Sequence, residues 1–108
     1  MQPITRDELK TRMDRGDDFT LIEALPPQYW KRIHLPGAIN VPVDDQFEEN
    51  AQKAVPDKSR TVIVYCANID CPESRKAAER LDALGYEDVY DYEAGKADWR
   101  EAGLPTES

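Results

Sequence analysis

The chain has 108 residues, enough for one compact domain around a single hydrophobic core. Its 22 acidic and 14 basic residues leave a net charge of −8, which argues against binding nucleic acid or anionic lipid. No apolar run approaches the about 20 residues of a membrane-spanning helix, and MQPITRDELKTRM lacks a basic-then-apolar leader pattern, so a cytoplasmic location is expected.

The first predicted element is a helix over ITRDELKTRMDRG. Thr5 and Glu8 have capping-box spacing, Ile4 and Leu9 that of a hydrophobic staple, and Gly16 suits the stop. Phe19 to Ala24 reads as a strand. Pro26-Pro27 then opens a short helix through QYWKRI, because proline is tolerated in a first turn. HLPGAINVPV predicts a turn at Pro36-Gly37 and a brief strand over Ala38 to Val41. Asp44 or Asp45 is expected to cap a helix presenting Phe47, Ala51, Ala54 and Val55.

TVIVYC, Thr61 to Cys66, is a continuous β-branched and apolar run of the kind covered on both faces in a parallel sheet. Ser74 is then expected to cap a helix whose Ala77, Ala78, Leu81 and Leu84 share one side, with Gly85 at its end. DVYDY predicts the next strand, and KADWREAG a last short helix carrying Trp99. Strands alternating with helices at this spacing predict an α/β fold: one domain over residues 1–108, with a central, mainly parallel sheet flanked by helices in three layers.

The thiol of Cys66 is thereby placed at the C-terminal end of a buried strand, in a loop leading into a helix N-terminus. Open α/β sheets bind ligands in that crevice, and the positive end of a helix favours thiolate over thiol. Cys71 follows in C-x4-C spacing. With only two cysteines and one histidine, His34, the chain lacks the four ligands of a zinc site, and no metal or cofactor is expected. A structural disulfide across so short a loop would remove little unfolded-state entropy. A redox pair, or one reactive thiol beside a second, remains.

LIEAL, HLPGAINVP, VIVYC, SRKAAERLDALGYEDVYDYEAG and DWREAGLP, in that order, resemble the rhodanese-like domain family from roughly Ile4 to Pro105. The resemblance implies a rhodanese-like three-layer fold. It puts Cys66 at the position of the cysteine that takes sulfane sulfur from a donor, holds it as a persulfide and passes it to a thiophilic acceptor. Backbone N–H groups of the loop are expected to converge on that sulfur, as in an oxyanion hole.

The chain departs from the family pattern in three places. The usual loop is C-x-x-G-x-R-S. Here Cys66, Ala67, Asn68, Ile69, Asp70, Cys71, Pro72, Glu73 and Ser74 make a loop two residues longer, without glycine and with Glu73 in place of the arginine. The usual Asp-x-Arg of the first core strand is Glu23-Ala24-Leu25, so the ion pair of that arginine is expected to be missing. Ile33 replaces a glycine before the PGA turn, while His34 is retained and expected to be structural.

Cys66 is accordingly the candidate nucleophile and Cys71 a candidate resolving thiol. The active loop is Ala67, Asn68, Ile69, Asp70, Pro72, Glu73, Ser74 and Arg75. Asp70 and Glu73 are expected to oppose ionisation of the thiol and to repel thiosulfate, with Arg75 and Lys76 as the nearest compensating cations. The expected activity is sulfurtransfer between a small donor (thiosulfate or a persulfide) and a thiol or protein acceptor, by a monomer with no nucleic-acid or membrane partner. A Cys66/Cys71 thiol–disulfide or arsenate-reductase-like enzyme, and a non-catalytic binding module, are the alternatives.

Overall fold

A computed structural model describes residues 1–108. The strands are β1 (Gln2–Pro3), β2 (Thr20–Glu23), β3 (Ile39–Asn40), β4 (Val62–Tyr65) and β5 (Val89–Tyr92). The helices are α1 (Arg6–Arg15), α2 (Pro27–Arg32), α3 (Phe47–Ala54), α4 (Glu73–Ala83) and α5 (Gly95–Glu101). All strand pairs are parallel, in the order β1-β5-β4-β2-β3. The expected α/β sandwich with helices on both faces is the architecture found.

The pleat of β4 shows how the layers arise, since alternate residues point to opposite faces. Val62 and Val64 pack with Ile22 and Val89 against Phe47 and Ala51 of α3 and Ala77, Ala78 and Leu81 of α4. Ile63 and Tyr65 face the other way, packing with Leu21 and Tyr92 against Leu9 of α1 and Trp99 of α5. All four β4 residues are buried, which is why the run lacks polar alternation.

Local signals hold best where the partners are close in sequence. Thr5 and Glu8 form the capping box, each side chain accepting from the other's backbone N–H, and Gly16 ends α1 in the left-handed conformation. Ile4 and Leu9 bury in one cluster.

Other boundaries differ from expectation. Ser74 is not the cap of α4. The helix begins one residue earlier at Glu73, Pro72 takes the N-cap position, and Ser74 is buried within the first turn. Asp44 and Asp45 do not cap α3: its N-cap is Gln46, whose N–H donates to Asp44 Oδ1 at 2.9 Å in a turn preceding the helix. Ala54 of α3 is exposed instead of facing the core. The two-residue strand β1 was not expected, because so short an edge strand shows no periodicity; it is defined by its pairing with β5.

Register places the site. Glu23, Tyr65 and Tyr92 lie side by side at the C-terminal edge of the central strands. Cys66 is the next residue after that edge.

Candidate active site

Cys66 is fully buried, and its Sγ sits between the two ends of its loop. The thiol donates to the Cys71 carbonyl at 3.4 Å and accepts from the Ser74 backbone N–H at 3.3 Å. Both cysteines are free thiols. The structure therefore brings Cys66, Cys71 and Ser74 together, as the sequence suggests. Ser74 contributes its backbone N–H from inside the first helical turn, where intrahelical acceptors do not exist.

The rest of the loop turns outward. Asn68 Oδ1 accepts the Asp70 N–H at 3.0 Å, an Asx turn that reverses the chain. Asn68, Ile69, Asp70 and Pro72 are exposed, Ile69 at 65%. Arg75 pairs with Glu79 at 3.3 Å and Glu73 with Lys76 at 3.6 Å, both along α4. The two cations that stood nearest the loop in sequence are thus engaged on the helix surface.

Several loop amides keep their donors available. The N–H groups of Ala67, Asn68, Ile69, Glu73 and Arg75 have no protein acceptor, whereas those of Asp70, Cys71 and Ser74 are engaged. Only the Ser74 N–H reaches Sγ itself, so the expected convergence of several donors on the resting sulfur is reduced to one.

The thiol is harder to ionise than its place at a helix N-terminus suggests. Burial pushes its pKa up to about 11, helped by the interaction with Cys71; the Ser74 hydrogen bond pulls the other way and loses. Desolvation decides the direction, and the loop carboxylates Asp70 and Glu73 are not among its causes.

Behind the loop stands a support that the sequence reading did not anticipate. Lys96 N–H donates to the Cys66 carbonyl and Ala97 N–H to the Ala67 carbonyl, both at 2.9 Å. Gly95, at φ +70°, makes this approach possible: a Cβ there would lie 2.6 Å from the Cys66 carbonyl oxygen. The Lys96 ammonium reaches 2.8 Å from Glu23 Oε1 and 3.2 Å from the Tyr29 carbonyl.

The arginine of the usual Asp-x-Arg is absent at Leu25, and Glu23 takes a different cationic partner, Lys96. The charge comes from α5 instead of from its own strand. Tyr65 donates its hydroxyl to Glu23 Oε1 at 2.8 Å and accepts the Leu35 N–H at 3.1 Å. Its phenol is shifted upward, chiefly by burial and then by Glu23. A lysine following Ala-Gly is the only local hint of this network, and it names no partner.

His34 is structural, as expected. Its ring stacks on Trp30 at 4.1 Å, Nδ1–H donates to the Trp30 carbonyl at 2.8 Å, and its backbone bridges that of Glu107. At the base of α4, Asp91 of β5 is buried with Oδ1 unpartnered, and burial raises its pKa. No helix is long and apolar enough to cross a membrane.

Known proteins are similar to this chain in sequence and in fold. The chain is 32% identical over 104 residues to the HTH-type transcriptional regulator Rv0324 of Mycobacterium tuberculosis, covering 96% of this chain and 44% of that one. It is 40% identical over 68 residues to the thiosulfate sulfurtransferase PspE of Escherichia coli, covering 63% and 62% respectively. In both cases the match spans less than two thirds of the relative's length. A solution structure of the rhodanese-like domain of the Anabaena protein Alr3790 superposes with a TM-score of 0.85 at 26% identity, over 100% of this chain and 80% of that one. The model of the rhodanese-like domain matches residues 5–102, so nearly the whole structure described above, loop and flanking strands included, belongs to the rhodanese-like domain family.

Proposed function

We propose that the protein is a sulfurtransferase or sulfur carrier that holds sulfane sulfur as a persulfide on Cys66. The observation that carries this reading is the Ser74 N–H directed at Cys66 Sγ from the first turn of α4. It is the donor best placed to stabilise negative charge on that sulfur. A persulfide extends about 2 Å beyond Sγ, toward a loop in which further amides have no protein acceptor.

Transfer balances without an external oxidant or reductant. The Cys66 thiolate attacks the outer sulfur of a donor R–S–SH, the donor S–S bond breaks, and the leaving thiolate takes the proton that Cys66 gave up. The products are Cys66–S–SH and R–SH. A thiol or protein acceptor completes the cycle by the same exchange in reverse. Thiosulfate is the poorer donor in this scheme, because Asp70 and Glu73 stand in the loop, Glu73 in place of the usual arginine, while Arg75 is paired with Glu79. We further place the protein in a reducing compartment, the cytoplasm, acting as a monomer with both thiols free.

Intact-mass analysis of reduced protein treated with thiosulfate or with glutathione persulfide tests the reading. A gain of one sulfur in wild type and Cys71→Ser, absent in Cys66→Ser and discharged by cyanide, is expected. Sulfur retained by Cys66→Ser would sink it.

A Cys66/Cys71 redox pair is the second reading, favoured by the direct contact between the two residues. In the same assay it predicts a loss of two hydrogens in wild type alone, with no sulfur retained.

A further inference from the structure

Charge is distributed unevenly around the loop. Three of the cavities that border it contain carboxylates: Asp44 and Glu73 in one, Asp70, Asp91 and Glu93 in another, and Asp7, Glu8, Glu93 and Asp98 in a third. The fourth, of about 430 Å³, has none. It lies between α2, α5 and the start of the loop, with Leu25, Tyr29 and Ala67 in its walls beside Arg32, Lys96 and Arg100. On a chain of net charge −8, this is a local reversal of sign.

The cations in it are also the available ones. Among all lysines and arginines, only the side chains of Lys31, Arg32 and Arg100 have no carboxylate partner, aromatic face or hydrogen-bond acceptor. Two of those three line this one cavity. Lys96 adds a held ammonium: two of its three protons go to Glu23 and the Tyr29 carbonyl, which leaves one without a protein acceptor.

We infer that this cavity binds the carboxylate end of a small organic thiol or persulfide, with Arg32 and Arg100 as its counter-charges, and so selects the sulfur donor or acceptor. The inference rests on the sulfur-carrier reading above. Size points the same way. Small-molecule sites run from about 300 to 1,000 Å³, so the cavity suits an organic anion better than a bare sulfur oxyanion. Placement completes the argument: Ala67 in its wall directly follows Cys66, and the Cys66 and Ala67 carbonyls are tied to the N–H groups of Lys96 and Ala97. A carboxylate held by guanidinium groups there would bring its sulfur to the loop, supplying from α2 and α5 the cations that the loop lacks.

Two measurements test this, on wild type, Arg32→Gln/Arg100→Gln, Arg32→Lys/Arg100→Lys and Lys31→Ala. The first titrates S-methylglutathione, an unreactive carboxylate-bearing probe, against amide resonances. Saturable shifts at Ala67 and Ala97 are expected in wild type. The double glutamine variant should bind at least tenfold more weakly, the lysine variant should recover part of the loss, and Lys31→Ala should match wild type.

The second compares sulfur loading from glutathione persulfide and from 2-mercaptoethanol persulfide. The ratio of their kcat/KM values should fall at least tenfold in the glutamine variant, through KM of the carboxylate-bearing donor. An unchanged ratio, or wild-type loading from both donors without S-methylglutathione binding, overturns the inference and leaves the sulfur-carrier reading intact. Arginine-dependent binding with no sulfur loaded from either donor overturns the sulfur-carrier reading and supports the anion site.

Discussion

Lys96 and Glu23 form an ion pair at 2.8 Å beneath the candidate active loop, with Glu23 fully buried and Lys96 only 8% exposed. The pair joins the end of β2 to the start of α5, and the backbone of the same lysine holds the Cys66 carbonyl. A support for the loop and a buried charge therefore depend on one residue.

Removing one partner leaves an uncompensated buried charge. Lys96→Ala should destabilise the protein by about 3–5 kcal/mol, because Glu23 is then desolvated without a counter-ion. Glu23→Leu/Lys96→Met should recover much of that loss. Urea melts of the two variants against wild type measure both effects, and a Lys96→Ala melt within 1 kcal/mol of wild type would contradict the pairing.

Gly95 is constrained twice, by a left-handed φ of +70° and by the Cys66 carbonyl oxygen 2.6 Å from any added Cβ. The conformation alone costs a side chain about 1–3 kcal/mol. Gly95→Ala should therefore lose more stability than Gly85→Ala or Gly103→Ala, where nothing lies within 4 Å. Thermal melts of the three variants rank them, and equal losses would show that the loop contact is not limiting.

Burial that lifts the Cys66 thiol to about 11 sets its reactivity. At neutral pH the protonated thiol therefore dominates. Iodoacetamide modification followed by mass spectrometry should give a rate rising tenfold per pH unit through pH 8 to 10. A plateau below pH 9 would mean that the Ser74 N–H outweighs desolvation. Stability follows the same sign. A proton bound more tightly in the fold contributes stability that is full below the unfolded thiol value and is lost as pH rises through about 11.

Asp91 is also shifted upward by burial, and its Oδ1 is unpartnered. Its protonated form suits the fold, so its contribution is present below the ordinary aspartate range and is lost as pH rises through the folded pKa. Asp91→Asn should be more stable than wild type at pH 7, with the difference shrinking as pH falls through the folded pKa and gone below about pH 3.8. Chemical melts at pH 7 and pH 3 check the sign. An Asp91→Asn protein less stable at pH 7 would show that the ionised carboxylate has a stabilising partner.

Short-range features were legible in the chain itself. Thr5 and Glu8 are three residues apart, so their capping box forms by local contact. The run Val62–Tyr65 had to be a buried strand because it offers no polar face, and that alone set Cys66 at a sheet edge before a helix. The family resemblance lay in such motifs and their order.

What needed the tertiary structure was every relation between residues far apart in sequence. Glu23 meets Lys96, Gly95 backs Cys66, and Arg32 shares a cavity with Arg100 only because parallel strands in the order β1-β5-β4-β2-β3 gather their following segments at one end of the sheet. The ionisation of Cys66 belongs to the same class. A helix N-terminus can be read from sequence and favours the thiolate, but the depth of burial that opposes it is a property of the packed chain, and desolvation is the larger effect.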